Sequence, residues 1–79
     1  MEIKLPKEIA REDINYLLQR LEQFKEIAEP PMFIPLLIVD QMLEKINIDE
    51  ILKNQKECRA MYRTIARVIG LDYSAYLEV

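Results

Sequence analysis

Residues 47–70 read NIDEILKNQKECRAMYRTIARVIG, and they carry both a candidate core and a candidate surface. Ile48, Ile51, Gln55, Cys58, Tyr62, Ile65 and Ile69 recur at alternating intervals of three and four, the rhythm of one face of an α-helix. Gln55 is the one polar member of this seam, which Leu52, Met61 and Val68 flank. Asn47 suits a helix N-cap, and Glu50 follows three residues later as in a capping box. Ile46 and Ile51 are spaced to staple the first turn. Gly70 can take the left-handed conformation that ends a helix, with Leu71 closing over the last turn. The pattern predicts one long helix from this cap to this glycine.

The segments upstream read as helices too. Pro6 suits a first helical position because its missing N–H would have no partner there. From about Lys7 to Ala28, the residues Ala10, Ile14, Leu17, Leu21, Phe24 and Ala28 form a second heptad-type seam, widened by Leu18 and Ile27. Pro30-Pro31 ends this helix, because the residue before a proline is pushed out of the helical region. A short helix then runs from Phe33 or Pro35 to about Ile46. It is apolar nearly all round through Leu36, Leu37, Ile38 and Val39, which predicts the most buried element of the molecule. Asp72 could cap a last short helix over Tyr73 to Leu77. The expected fold is a single all-α domain over residues 1–79: a small antiparallel bundle of three main helices plus a short C-terminal helix.

The expected helix lengths are unequal. At 1.5 Å per residue the first and third helices would each span roughly 33 Å and the second only about 20 Å. Ala10, Ile14 and Leu17 would then be left uncovered at one end, and Ile65, Val68 and Ile69 at the other. Uncovered apolar strips mark interfaces. A homodimer is therefore expected, with these six residues as its self-association surface.

The charge is segregated. The chain carries a net charge of -3, yet residues 47–70 hold five basic and three acidic side chains, +2, which leaves -5 for the rest. Lys56, Arg59, Arg63 and Arg67 are spaced 3, 4 and 4, so they share one helix face. This stripe could grip an acidic helix, phosphates or another anionic partner. The reading favoured for a charge run by itself is a solvated face that complements the negative end of the helix dipole and salt-bridges to the acidic first helix.

Several chemistries lack their residues. No histidine is present, so the commonest metal ligand and general base are missing. The i, i+4 carboxylate pairs Glu8/Glu12, Glu22/Glu26 and Asp40/Glu44 have no imidazole to complete a di-metal site. Cys58 is the one cysteine; it has no base beside it and reads as core filler. One glycine leaves no phosphate loop. No enzyme, metal or cofactor is expected. The opening residues lack a signal-peptide core, and the longest apolar run, Pro35 to Val39, is far too short to span a membrane, so a soluble cytoplasmic protein is expected. Met32 and Phe33, after the double proline, are a candidate apolar anchor.

The opening, Glu2-Ile3-Lys4-Leu5-Pro6-Lys7-Glu8-Ile9, resembles the strand and first helix of ribbon-helix-helix repressors and antitoxins. That resemblance covers about the first fifth of the chain. It implies a strand-paired dimer reading the DNA major groove through Glu2 and Lys4. The short turn and Ser or Thr that open that family's second helix have no counterpart before Pro30. The overall plan is also similar in outline to bacteriocin immunity proteins and small phage or plasmid regulators. The function expected from the residues is non-enzymatic: a small regulatory or adaptor protein acting through helix-mediated contact with another protein. A ribbon-helix-helix-like DNA-binding regulator or antitoxin is the alternative.

Overall fold

The computed structural model describes residues 8–71. The first helix, α1, is Arg11–Ile27; a 3-10 turn, Pro30–Met32, leads into α2, Phe33–Glu44; two further helices follow, α3 over Ile48–Leu52 and α4 over Gln55–Ile69. The all-α class holds, and no strand occurs among the described residues. The short helix expected over Tyr73 to Leu77, and the Glu2–Lys7 segment that resembles a ribbon strand, lie outside the described residues.

Two of the expected helices have different limits. The first begins at Arg11 rather than near Lys7, because Ile9 is held in place by a side chain from far along the chain. Gln55 accepts the Ile9 N–H through Oε1 at 2.8 Å and donates from Nε2 to the Ile9 carbonyl at 3.0 Å. The clamp gives both backbone groups of Ile9 partners outside a helix, and the helical ladder starts just beyond it. Ala10 is left as the N-cap residue, and its N–H donates to the Asp13 carboxylate at 2.8 Å.

The expected long helix over 47–70 is two helices. Asn47 caps α3 as predicted, accepting the N–H groups of Asp49 and Glu50. Asn54 then caps α4 by accepting the Glu57 N–H at 3.3 Å. An asparagine can satisfy backbone groups outside a helix, so it favours such a restart over a helix interior. Gln55 also donates to the Leu52 carbonyl, which the break would otherwise leave without an acceptor role. The C-terminal reading holds. Gly70 has φ 72°, and the Leu71 N–H donates to the Ala66 carbonyl at 2.9 Å. A Cβ at Gly70 would meet nothing within 4 Å, so the glycine serves the backbone angle, not a close approach.

The restart removes the expected length mismatch. With 17 residues in α1 and 15 in α4, the two main helices are about 25 and 22 Å long. They pack on one another and bury Ile14, Leu17 and Leu21 of α1 against Cys58, Met61, Tyr62, Ile65 and Ala66 of α4. Leu36 and Val39 of α2 and the tethered Ile9 complete the core. α3 packs on α4, and an Arg11–Asp49 ion pair ties it to the start of α1.

The expectation that α2 is the most buried element is overturned. Only Leu36 and Val39 are buried, while Phe33, Ile34, Leu37 and Ile38 are each more than half exposed. Among the described residues, α1 and α4 meet α2 on one side, through the Lys25–Asp40 ion pair and the packing of α2 on α4. Ile27, expected to widen the seam of the first helix, is 77% exposed in its last turn.

Candidate functional site

Two exposed helix faces concentrate what could bind a partner. The first is the outer side of α2. At 100° per residue, Phe33, Leu37, Ile34 and Ile38 sweep an arc of about 140°, opposite Leu36 and Val39. Their exposures are 54%, 56%, 70% and 60%. Together they offer on the order of 400 Å² of apolar surface, comparable with the largest patch on a typical monomer. A groove of about 240 Å³ runs along the edge of this strip, lined by Lys25, Phe33, Leu36, Leu37 and Asp40. Its polar end is closed by Lys25, whose Nζ lies 2.5 Å from Asp40 and 3.3 Å from Glu22. The hydrogen bond to Asp40 pushes the lysine pKa up, against partial burial that lowers it, and Glu22 adds to the rise.

The residues expected to form the self-association surface are elsewhere. Ile14, Leu17 and Ile65 are completely buried within the single chain. Val68 and Ile69 are partly buried against the same core, and Ala10 is exposed. The physical reason is the break at Asn54: without a long third helix no end overshoots, so these residues close the chain's own core. Met32 is half-buried, and Phe33 beside it is exposed as part of the α2 strip.

The second face is the basic stripe, and the structure brings all four of its residues together. Lys56, Arg59, Arg63 and Arg67 lie within about 80° of one another on α4, on the side opposite the buried Cys58, Met61 and Ile65. Lys56, Arg59 and Arg63 surround the exposed Ala60 and line an open groove of about 310 Å³. The salt bridges expected between this stripe and α1 are absent for Lys56 and Arg63, neither of which pairs with a carboxylate among the described residues. Arg59 and Arg67 have contacts of their own.

Cys58 sits in the core with no exposed surface. Burial pushes its thiol pKa up, the neighbouring Arg59 pulls it back, and the negative charge of Asp13 adds to the rise. A thiol held neutral packs as a small apolar group and makes a poor nucleophile. Tyr62 is buried in the core, whereas Tyr16 is half exposed on α1.

Sequence reasoning missed the outer strip of α2 and the role of Gln55. The signal for the first was the run Phe33 to Val39, which has no polar side to turn outward. The signal for the second was a lone amide in an apolar seam, a residue that needs buried polar partners. No protein-family model matches this chain, and no curated protein and no solved structure matches it either.

Proposed function

We propose that this is a non-enzymatic regulatory or adaptor protein that works by helix-mediated protein–protein contact and self-associates through the outer face of α2. The observation that carries the reading is the contiguous strip of Phe33, Ile34, Leu37 and Ile38, all more than half exposed on one helix. A second copy is the occupant this strip suits. In a two-fold contact the same patch meets itself, so an apolar strip is its own complement.

Charge supports the same pairing. If two α2 helices cross antiparallel, Lys45 at the C-terminal end of one comes towards the segment that leads into the N-terminal end of the other, where Glu29 stands before the 3-10 turn. Both are exposed, and neither is ion-paired among the described residues. The antiparallel arrangement also sets the positive end of one helix dipole beside the negative end of the other. The strip supplies roughly half of the ~800 Å² that each partner contributes to a standard interface, so the association is a modest one. The reading takes the protein as cytoplasmic, where a single unpaired thiol is ordinary. No helix among the described residues is long and apolar enough to cross a membrane.

Light scattering across a concentration series tests it. The wild-type chain is expected to approach twice the 9.4 kDa chain mass as concentration rises. Ile34→Asp is expected to stay at the single-chain mass with unchanged helix content. A wild-type chain that remains monomeric throughout, or an Ile34→Asp variant that dimerises equally well, would defeat the proposal.

A further inference from the structure

One end of the core is open. Phe24, Ile69 and Leu71 pack against the core yet are only half-buried, and Ile27 is 77% exposed. A groove of about 140 Å³ lies there between α1 and the end of α4, lined by Arg20, Gln23, Phe24, Ile27 and Ile69. We propose that residues 72–79 of the same chain occupy this groove, folded back as a short helix that seats Tyr76 on Phe24 and Ile27 and sets Glu78 beside Arg20. Their sequence, DYSAYLEV, has the pattern such an occupant needs. Asp72 suits a helix N-cap, and Tyr73, Tyr76 and Leu77 share one helix face. The groove suits one aromatic ring, since a cavity of about 150 Å³ accommodates benzene. Arg20 and Gln23 at its rim give a tyrosine hydroxyl polar neighbours.

Direction, reach and charge single out this segment. Ile9 meets Gln55 at the start of α4, and Ile27 lines a groove with Ile69 at its end, so α1 and α4 run in the same direction. The left-handed Gly70 turns the chain off the α4 axis, and Leu71, its N–H held by the Ala66 carbonyl at 2.9 Å, packs on the core. A segment turning back from Leu71 lies antiparallel to both helices, along the seam between them. Ile27 and Arg20 are seven residues apart, and so are Leu71 and Glu78. At 1.5 Å per residue both intervals span about 10 Å, which brings Glu78 level with Arg20. Arg20 is exposed and donates to Gln23 at 3.3 Å, with no carboxylate paired to it among the described residues. Residues 72–79 carry two carboxylates and no cation. The segment before residue 8 is ill suited. It joins the fold beside Gln55, at the opposite end of α4 and about 22 Å away, and it would bring Lys4 and Lys7 towards an arginine. A separate molecule would compete with a tethered segment whose effective concentration is on the order of millimolar.

The test uses the full chain carrying Ile34→Asp, which removes any pairing through α2 beforehand, so the two proposals are read separately. Nuclear Overhauser contacts are expected from the Ile27 and Ile69 methyl groups to the Tyr76 ring. In a mixture of isotope-labelled and unlabelled chains these contacts should arise within one chain. Adding Ile27→Gln should lower the hydrogen-exchange protection of the Tyr76 and Leu77 amides on the order of tenfold, because an isoleucine loses its burial. The amides of α1 and α4 should keep their protection, since Ile27 contributes little to the core they enclose. Glu78→Arg should also lower the protection, and Arg20→Glu in the same chain should restore it, which a misfolded variant could not do. Absence of the methyl–ring contacts overturns the proposal. So do contacts that arise only between chains, which would put a second copy in the groove, and protection that Ile27→Gln leaves unmoved, which would mean a helix standing free of it.

Discussion

The side-chain amide of Gln55 holds the backbone of Ile9 from both sides, accepting its N–H at 2.8 Å and donating to its carbonyl at 3.0 Å across 46 residues of sequence. The same amide nitrogen also reaches the Leu52 carbonyl, so one residue fixes the entry to α1 and the break between α3 and α4. Gln55→Leu keeps the apolar seam continuous but strips partners from partly buried backbone groups. It is expected to cost roughly 1–3 kcal/mol in urea unfolding. Gln55→Glu adds a pH dependence. The Ile9 carbonyl is satisfied only by the protonated acid, which raises the folded-state pKa of that carboxyl. The variant should therefore be most stable at acid pH and weaken as the pH rises through that value. A flat profile between pH 4 and 7 would remove the clamp from the account.

Asn54 decides whether residues 48–69 form one helix or two. Its side chain accepts the Glu57 N–H, and its backbone leaves the helical region at φ −116° and ψ 89°. Asn54→Ala lifts the helix propensity at that position but removes the cap and draws Gln55 away from Ile9. Loss of the cap alone costs on the order of 1 kcal/mol. Net destabilisation is expected, even if circular dichroism records slightly more helix. A variant more stable than the wild type would mean that the break serves no structural purpose.

Much of this fold was legible in the chain, and where legibility stopped has a physical cause. Cys58, Tyr62 and Ile65 lie buried on the predicted seam, and Asn47 and Gly70 act as predicted at their helix ends. Those features depend on neighbours three or four residues away. The break at Asn54 carries a local signal that was passed over, because Asn54 and Glu57 repeat the spacing of Asn47 and Glu50; the Gln55 clamp on Ile9, 46 residues away, is what no local pattern encodes. The basic stripe was equally legible, because its four residues share a face by periodicity alone. The exposed apolar surface was misplaced because its expected position followed from helix lengths, and one unforeseen restart changed them.

The Lys25 ion pair makes stability fall in alkali. Its hydrogen bond to Asp40 raises the lysine pKa above the ordinary 10.5, so the folded state keeps the proton longer than the unfolded chain does. The stabilisation is fully present below the unfolded value and fades as pH rises through the folded one. Asp40 is 40% exposed, so water weakens the pair, and Lys25→Met should cost no more than about 1 kcal/mol at neutral pH. That difference should shrink towards zero above the raised lysine value. The raised thiol pKa of Cys58 acts in the same direction, because the unfolded chain loses its proton first. Equilibrium unfolding of both proteins from pH 7 to beyond the lysine value measures the trend, and a constant difference would contradict it.

Leu36 and Leu37 are adjacent in sequence and have opposite fates. Leu36 is 6% exposed and packs in the core, while Leu37 is 56% exposed on the outer strip. Truncating a buried leucine loses its transfer free energy and leaves a cavity, so Leu36→Ala should destabilise the chain by about 2–5 kcal/mol. Leu37→Gln removes apolar surface that faces outward, and single-chain stability at low concentration should move by less than about 0.5 kcal/mol. Under the proposed self-association the ranking changes at high concentration, because binding to the folded state alone adds stability by mass action. The wild type should then gain stability with protein concentration, and Leu37→Gln should lose that gain while keeping the dilute-limit value. Denaturation midpoints over a hundredfold range of concentration separate the two effects. If Leu37→Gln proves as damaging in dilute solution as Leu36→Ala, the outer face of α2 is packed within one chain and has no surface left to share.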